Sequence, residues 1–134
     1  MSENFVQIRS QFGTHYLSLP VEGEPLSEEA QFAFIHGQCH AFAIALHMLT
    51  GWQIVADDDF LGRAKGHILV RMPDGKGVVD AYEIEEDNPL FQPITPKDIF
   101  NAYRKKYRGW LKPNVRAALP FAKARLAELR SENA

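Results

Sequence analysis

Cys39 is the only cysteine among 134 residues, and it stands near the front of GQCHAFAIALHMLTG, residues 37–51. A thiol attacks a carbonyl carbon as the thiolate, so its surroundings decide whether it reacts. The first turn of a helix favours that anion, because its N–H groups are unpaired and the positive end of the helix dipole lies close. A nucleophile of this kind also needs a base that takes its proton and later returns it to a leaving group, and the base must be held in orientation. His67 and Asp80 are the candidates. PDGKG, residues 73–77, reads as a hairpin turn, since Asp-Gly suits the left-handed dihedrals of a two-residue loop. With Asp74-Gly75 as that loop, residues whose numbers sum to 149 face each other. His67 then lies opposite Tyr82 and diagonal to Asp80 on one face. Diagonal neighbours are about 7–8 Å apart at the backbone, within side-chain reach. A slip of one residue would put them on opposite faces.

The elements that must position these groups follow from pattern. Between Gly37 and Gly51 apolar residues run almost all round a helical wheel, with Phe42, Ala43, Leu46 and Leu49 on one side and Ala41, Ile44, Ala45 and Met48 on the other. A helix of that kind is buried inside a domain. Before it, Ser27 reads as an N-cap, Glu28 and Glu29 occupy a first turn, Ala30 to Ile35 continue the helix, and Gly37 stops it. Residues 1–20 place Phe5, Ile8, Phe12 and Tyr16 at roughly helical spacing and predict a helix stopped by Gly13. Residues 52–56 read as a strand, Asp57 to Asp59 with Gly62 as an exposed loop, 66–72 as a second strand, and Val78 to Tyr82 as a third. The acidic, proline-broken stretch 83–94 predicts loop with one extended piece around Phe91 to Ile94.

Thr95-Pro96 opens a helix with Asp98 in its first turn. Ile99, Phe100, Tyr103, Tyr107 and Trp110 form its apolar face, and Gly109 closes it. From Pro113 the chain is helical again, kinked or divided at Pro120, with Leu119, Ala122, Leu126 and Leu129 inward. The expected fold is α+β, a buried helix starting with Cys39 packed on a small antiparallel sheet, with flanking N- and C-terminal helices. It forms one domain, with a core about 26–94 and a C-terminal helical segment about 95–130.

A cysteine at the start of a buried helix (GQCH), a histidine opening one strand (GHILV) and an aspartate on the next (VVDAY) resemble the papain-like cysteine peptidase superfamily in its broad sense. That group includes transglutaminase-like and NlpC/P60-like branches and small papain-fold domains of bacterial toxins and effectors. The resemblance spans roughly Gly37 to Tyr82. It implies Cys39 as nucleophile, His67 as general base and acid, and Asp80 as the orienting third member. It also implies an oxyanion hole formed first by the backbone N–H of Cys39, with Gln38 as a second donor. Peptidase, deamidase and transglutaminase-like activities share this acyl-thioester chemistry, so the substrate is a peptide or protein amide.

His36, Cys39, His40 and His47 invite a zinc reading. Adjacent helix positions such as Cys39 and His40 point about 100° apart, however, and His47 lies two turns beyond His40. No metal and no cofactor is therefore assigned, and His40 and His47 are expected to line a polar stripe of the buried helix or to pack against the sheet. Asp57 to Asp59 lack calcium-loop spacing. Net charge is −2 but uneven, with 14 acidic and 5 basic residues up to Phe91 and 3 acidic and 10 basic after it. The plain account is basic helices folded on an acidic body. The sharper one is a docking surface for an acidic protein partner or nucleic acid, the role left to the chain if the cysteine is catalytically silent. No phosphate loop, zinc-finger spacing or aromatic-basic repeat points to nucleic acid. A lone cysteine suits a reducing compartment, and no leader or membrane-length apolar run is evident. Cytoplasmic placement is the expectation, with delivery by a leaderless secretion route left open.

Overall fold

A computed structural model of the chain describes residues 5–10, 13–21, 23–35, 38–56, 67–102 and 105–132. The fold is α+β. A two-stranded hairpin, β1 (Phe5–Ser10) and β2 (Gly13–Ser18), is followed by helices α1 (Glu28–Ile35) and α2 (Cys39–Thr50). Strands β3 (Gln53–Ala56), β4 (Ile68–Arg71), β5 (Val78–Val79), β6 (Ile84–Glu85) and β7 (Gln92–Ile94) form one antiparallel sheet in the order β6-β5-β4-β3-β7. Helix α3 (Pro96–Ala102) and the long α4 (Arg108–Glu132) complete the chain.

Helix α2 is the pivot. It is buried from Ala41 to Leu46, and α4 lies along it while β4 packs from another side. Rings from three helices meet there, with Phe34 5.1 Å from Phe42 and 5.3 Å from Phe121. One apolar cluster reaches from Ile8 to Leu129, so the core extends beyond 26–94 and includes the terminal helix. Val55, Leu69 and Val78 form a smaller cluster on the other face of the sheet. Gly51 ends α2 in a left-handed conformation (φ 75°), with its N–H bonded to the His47 carbonyl. The last turn of α2 departs from the all-round burial expected, since Met48 is 60% exposed and Leu49 is also exposed.

The α1 cap is as expected. The Ala30 N–H donates to Ser27 Oγ at 3.2 Å. At α3 the Thr95 hydroxyl accepts from the Asp98 N–H and Asp98 Oδ2 accepts from the Thr95 N–H, a reciprocal capping box.

Several expectations are corrected. Where a helix was expected over 1–20, residues 5–10 and 13–18 pair as antiparallel strands, and Gly13 begins the second. Exposure alternates along both strands with Ile8 and Leu17 inward, while Phe5 and Tyr16 face outward. The helical spacing of Phe5, Ile8 and Tyr16 therefore mixed the two faces of a ribbon. A strand forms at Ile84–Glu85 inside the stretch expected to be loop. Gly109 does not close a helix; it lies in the first turn of α4, and α3 is a separate element over Pro96–Ala102. Of the apolar face expected there, Ile99 is buried and Phe100 is exposed beneath the Arg108 guanidinium. Helix α4 runs through Pro113 and Pro120 as one element, with Ala122, Leu126 and Leu129 buried and Leu119 packed against the core. The readings placed on Phe12, His36, Gly37, Asp57 to Asp59, Gly62, Gly66 and Tyr103 lie outside the described residues.

Candidate active site

The hairpin register that the site requires is present. Val70 pairs with Val79 and Arg71 with Val78, and the Met72 N–H donates to the Gly77 carbonyl, so each pair sums to 149. The turn itself is a short 3-10 turn over Pro73–Gly75, with Gly75 at φ 69°. Gly77 (φ 109°) is held by space as well as by dihedral, because a Cβ there would overlap the Glu85 carbonyl of β6. Strand β5 is shorter than expected and ends at Val79, so Asp80 begins a turn. The Asp80 N–H donates to the Glu83 carbonyl, and Asp80 Oδ1 accepts the N–H groups of Tyr82 (2.8 Å) and Glu83 (2.7 Å). The other oxygen, Oδ2, lies 3.1 Å from His67 Nε2. The aspartate side chain is 8% exposed and the imidazole 33%.

Because Nε2 donates to the carboxylate, Nδ1 is the ring nitrogen left for the sulfur, and His67 is hydrogen-bonded to Cys39. Cys39 sits partly buried at the first position of α2, where the backbone N–H groups have no intrahelical partner. Burial alone would push its thiol up. Hydrogen bonds from His40 and then from His67, the charge of His40 and the Ile68 N–H outweigh that and bring it from 9.0 down to about 6. His67 is raised from 6.5 to about 10, first by its bond to Asp80 and next by its bond to Cys39, against the opposing effect of burial. Asp80 is lowered despite its burial, by His67 and by the Glu83 and Tyr82 N–H groups. A thiolate facing an imidazolium is thus the neutral-pH state of the pair.

His40 was read as part of a polar stripe, and the structure turns it to the sulfur instead. The 100° separation of neighbours holds along a helix. At its open first turn, however, side chains lean toward the N-terminus with no preceding turn in the way, and adjacent residues can meet over the end. His47 does lie away from the site, its Nδ1–H donating to the Trp52 carbonyl. Among the described residues no three His, Cys, Asp or Glu side chains gather as metal ligands.

Gln38 is engaged elsewhere than at an oxyanion. Its amide nitrogen donates to the Arg9 carbonyl at 3.1 Å, and its oxygen accepts from Asn114 Nδ2 at 3.0 Å. Asn114, 1% exposed on α4, also donates to the Arg9 carbonyl and accepts from the Arg9 N–H. These bonds tie the start of α2 to β1 and α4. The Cys39 N–H, at the first position of α2, has no partner within the helix.

Arg125 was missed because it belongs to a basic stretch, yet it is 3% exposed on α4. Its Nε donates to the Asp80 carbonyl (3.1 Å) and its Nη2 to the carbonyls of Tyr82 (3.2 Å) and Glu83 (3.4 Å), while Nη1 pairs with Glu128 (2.7 Å). Beside His67 and Asp80 an open cleft of about 440 Å³ is bordered by Glu28, Glu83 and Glu85 and by the rings of Phe32 and Tyr82. Comparison with known family models, curated proteins and solved structures finds no match to this chain. Among the described residues no single helix is long and apolar enough to cross a membrane.

Proposed function

We propose that the chain is a cysteine-dependent amide hydrolase or acyl transferase of the papain-like kind, acting in the cytoplasm on a peptide or protein amide. The observation that carries the reading is the His67 ring, which bridges the Cys39 sulfur and the Asp80 carboxylate. The thiolate of Cys39 attacks the carbonyl carbon, and the developing oxyanion is met by the Cys39 N–H at the helix end. The C–N bond then breaks as the His67 imidazolium gives its proton to the departing amine, leaving a thioester on Cys39. His67, now neutral, takes a proton from the incoming water or amine. That nucleophile adds to the thioester, and Cys39 leaves as the thiolate. Asp80 keeps Nε2 protonated throughout, so Nδ1 is the nitrogen that exchanges the proton.

The test is the rate of Cys39 alkylation by iodoacetamide against pH. The expected profile rises through about pH 6 rather than near an ordinary thiol's 9.0. In His67→Ala the rate at pH 6 should fall by about fivefold for the first unit by which the thiol rises and about tenfold for each further unit. Slow, pH-normal labelling of the unaltered chain would overturn the reading. It would favour a catalytically silent scaffold that meets an acidic partner through exposed Lys105, Lys106, Lys112, Arg116, Lys123 and Arg130.

A further inference from the structure

The carboxylate at the far end of the site sits on a turn held partly from within, by the Asp80 N–H on the Glu83 carbonyl, and partly from α4. Residues 80–83 leave regular pairing after Val79, and three of their carbonyls, those of Asp80, Tyr82 and Glu83, face the interior side occupied by α4. The Glu83 carbonyl also accepts the Asp80 N–H from within the turn, but the donors that reach all three carbonyls come from α4, a task for one multivalent group. A guanidinium suits this task, with five N–H groups in a rigid plane and a charge that does not titrate. Arg125 delivers them to all three carbonyls, and Glu128 balances its charge from the same helix. The Tyr82 carbonyl shares a peptide group with the Glu83 N–H, so fixing the carbonyl toward Arg125 aims that N–H the other way, where it and the Tyr82 N–H both bind Asp80 Oδ1. That leaves Oδ2 as the oxygen presented to His67.

We propose that Arg125 is a positioning residue for the candidate triad, setting the Asp80 carboxylate against His67 through the backbone of the 80–83 turn. The inference rests on the thiol-dependent reading of the site given above. Arg125 touches neither His67 nor the sulfur. Its effect passes through peptide groups whose orientation it decides.

The experiment follows the His67 ring by NMR titration, with iodoacetamide labelling and thermal unfolding measured on the same samples. In the unaltered chain the ring should titrate near pH 10. In Arg125→Gln, which keeps one donor and loses the fork, it should titrate at least one unit lower. Labelling of Cys39 at pH 6 should slow in parallel, in the direction of Asp80→Asn and by less. Arg125→Lys keeps a buried cation and should fold where the glutamine variant does not; one ammonium cannot span three carbonyls, so its titration should fall between the two. A lowered melting temperature with an unmoved His67 titration in whichever variant folds would make Arg125 merely structural and overturn the proposal. Failure of the parent reading looks different, because His67 of the unaltered chain would then titrate near 6.5 and Cys39 would label slowly.

Discussion

The sulfur end of the site is fastened by neutral amides, whereas the carboxylate end is fastened by a buried cation. At the first, Gln38 and Asn114 share the two backbone groups of Arg9 and lock the opening turn of α2 in place. At the second, Arg125 gathers three carbonyls and lets two N–H groups hold Asp80. Both clamps come from α4, eleven residues apart and so about three turns along one face, some 16 Å at helical rise. The amide clamp carries no charge and so can place a thiol without changing how easily it ionises. The cationic clamp is coupled to a carboxylate and an imidazole, so its loss must appear in their titration. Position and ionisation are thus set from the two ends of a single helix face.

The comparison breaks first at Asn114. Asn114→Ala removes three buried hydrogen bonds and strands Arg9 and Gln38 polar atoms, for an expected cost of about 1–3 kcal/mol in urea unfolding. The midpoint of the Cys39 pH profile should stay near 6, because no charge is altered. A moved midpoint would mean that the two clamps act as one.

A smaller effect sharpens the electrostatic half. Cys39 is lowered on folding and contributes stability above its ordinary 9.0 that is lost as pH falls through about 6; His67 is raised and contributes below 6.5 what is lost as pH climbs through about 10. Between 6.5 and 9.0 the folded pair holds one proton, on the ring, and the unfolded pair holds one, on the sulfur. Unfolding free energy should therefore be level across that window as far as these two groups decide it. Cys39→Ala should tilt it downward with rising pH. At the acid end, Asp80 is lowered on folding, so its stabilisation is present above the ordinary 3.8 and disappears as pH falls through its folded value. Asp80→Asn should flatten that limb. Urea unfolding at a series of pH values reads all three.

The smallest expected effect comes from the cleft. Glu28, Glu83 and Glu85 border the approach to His67. A cationic methanethiosulfonate reagent should modify Cys39 several-fold faster than an anionic one at low salt, with the ratio shrinking as ionic strength rises. Equal rates would mean that the sulfur is approached from another side.

Much of the site was legible because its determinants are local. The run from Cys39 to Gly51 carries a helix and its left-handed stop in its own residues. The Asp74-Gly75 dipeptide set a pairing register that the structure keeps, even though the turn closes as 3-10. The N-terminal hairpin was not legible by spacing alone. Phe5, Ile8 and Tyr16 satisfy a helical period while Val6 with Ile8, and His15 with Leu17, satisfy a strand period, and only the core decides which side chains turn in.

What the amino-acid order determined by itself was therefore a thiol at the head of an apolar helix, with an imidazole and a carboxylate beside the ends of two paired strands. Tertiary structure alone decided that His40 would join the sulfur, that Gln38 would turn to Arg9 and Asn114, and that Arg125 would point inward. The reason is range. Helix ends and hairpin registers are written in residues a few positions apart. A guanidinium's choice between water and carbonyls more than forty residues away depends on surfaces that exist only once α4 has packed.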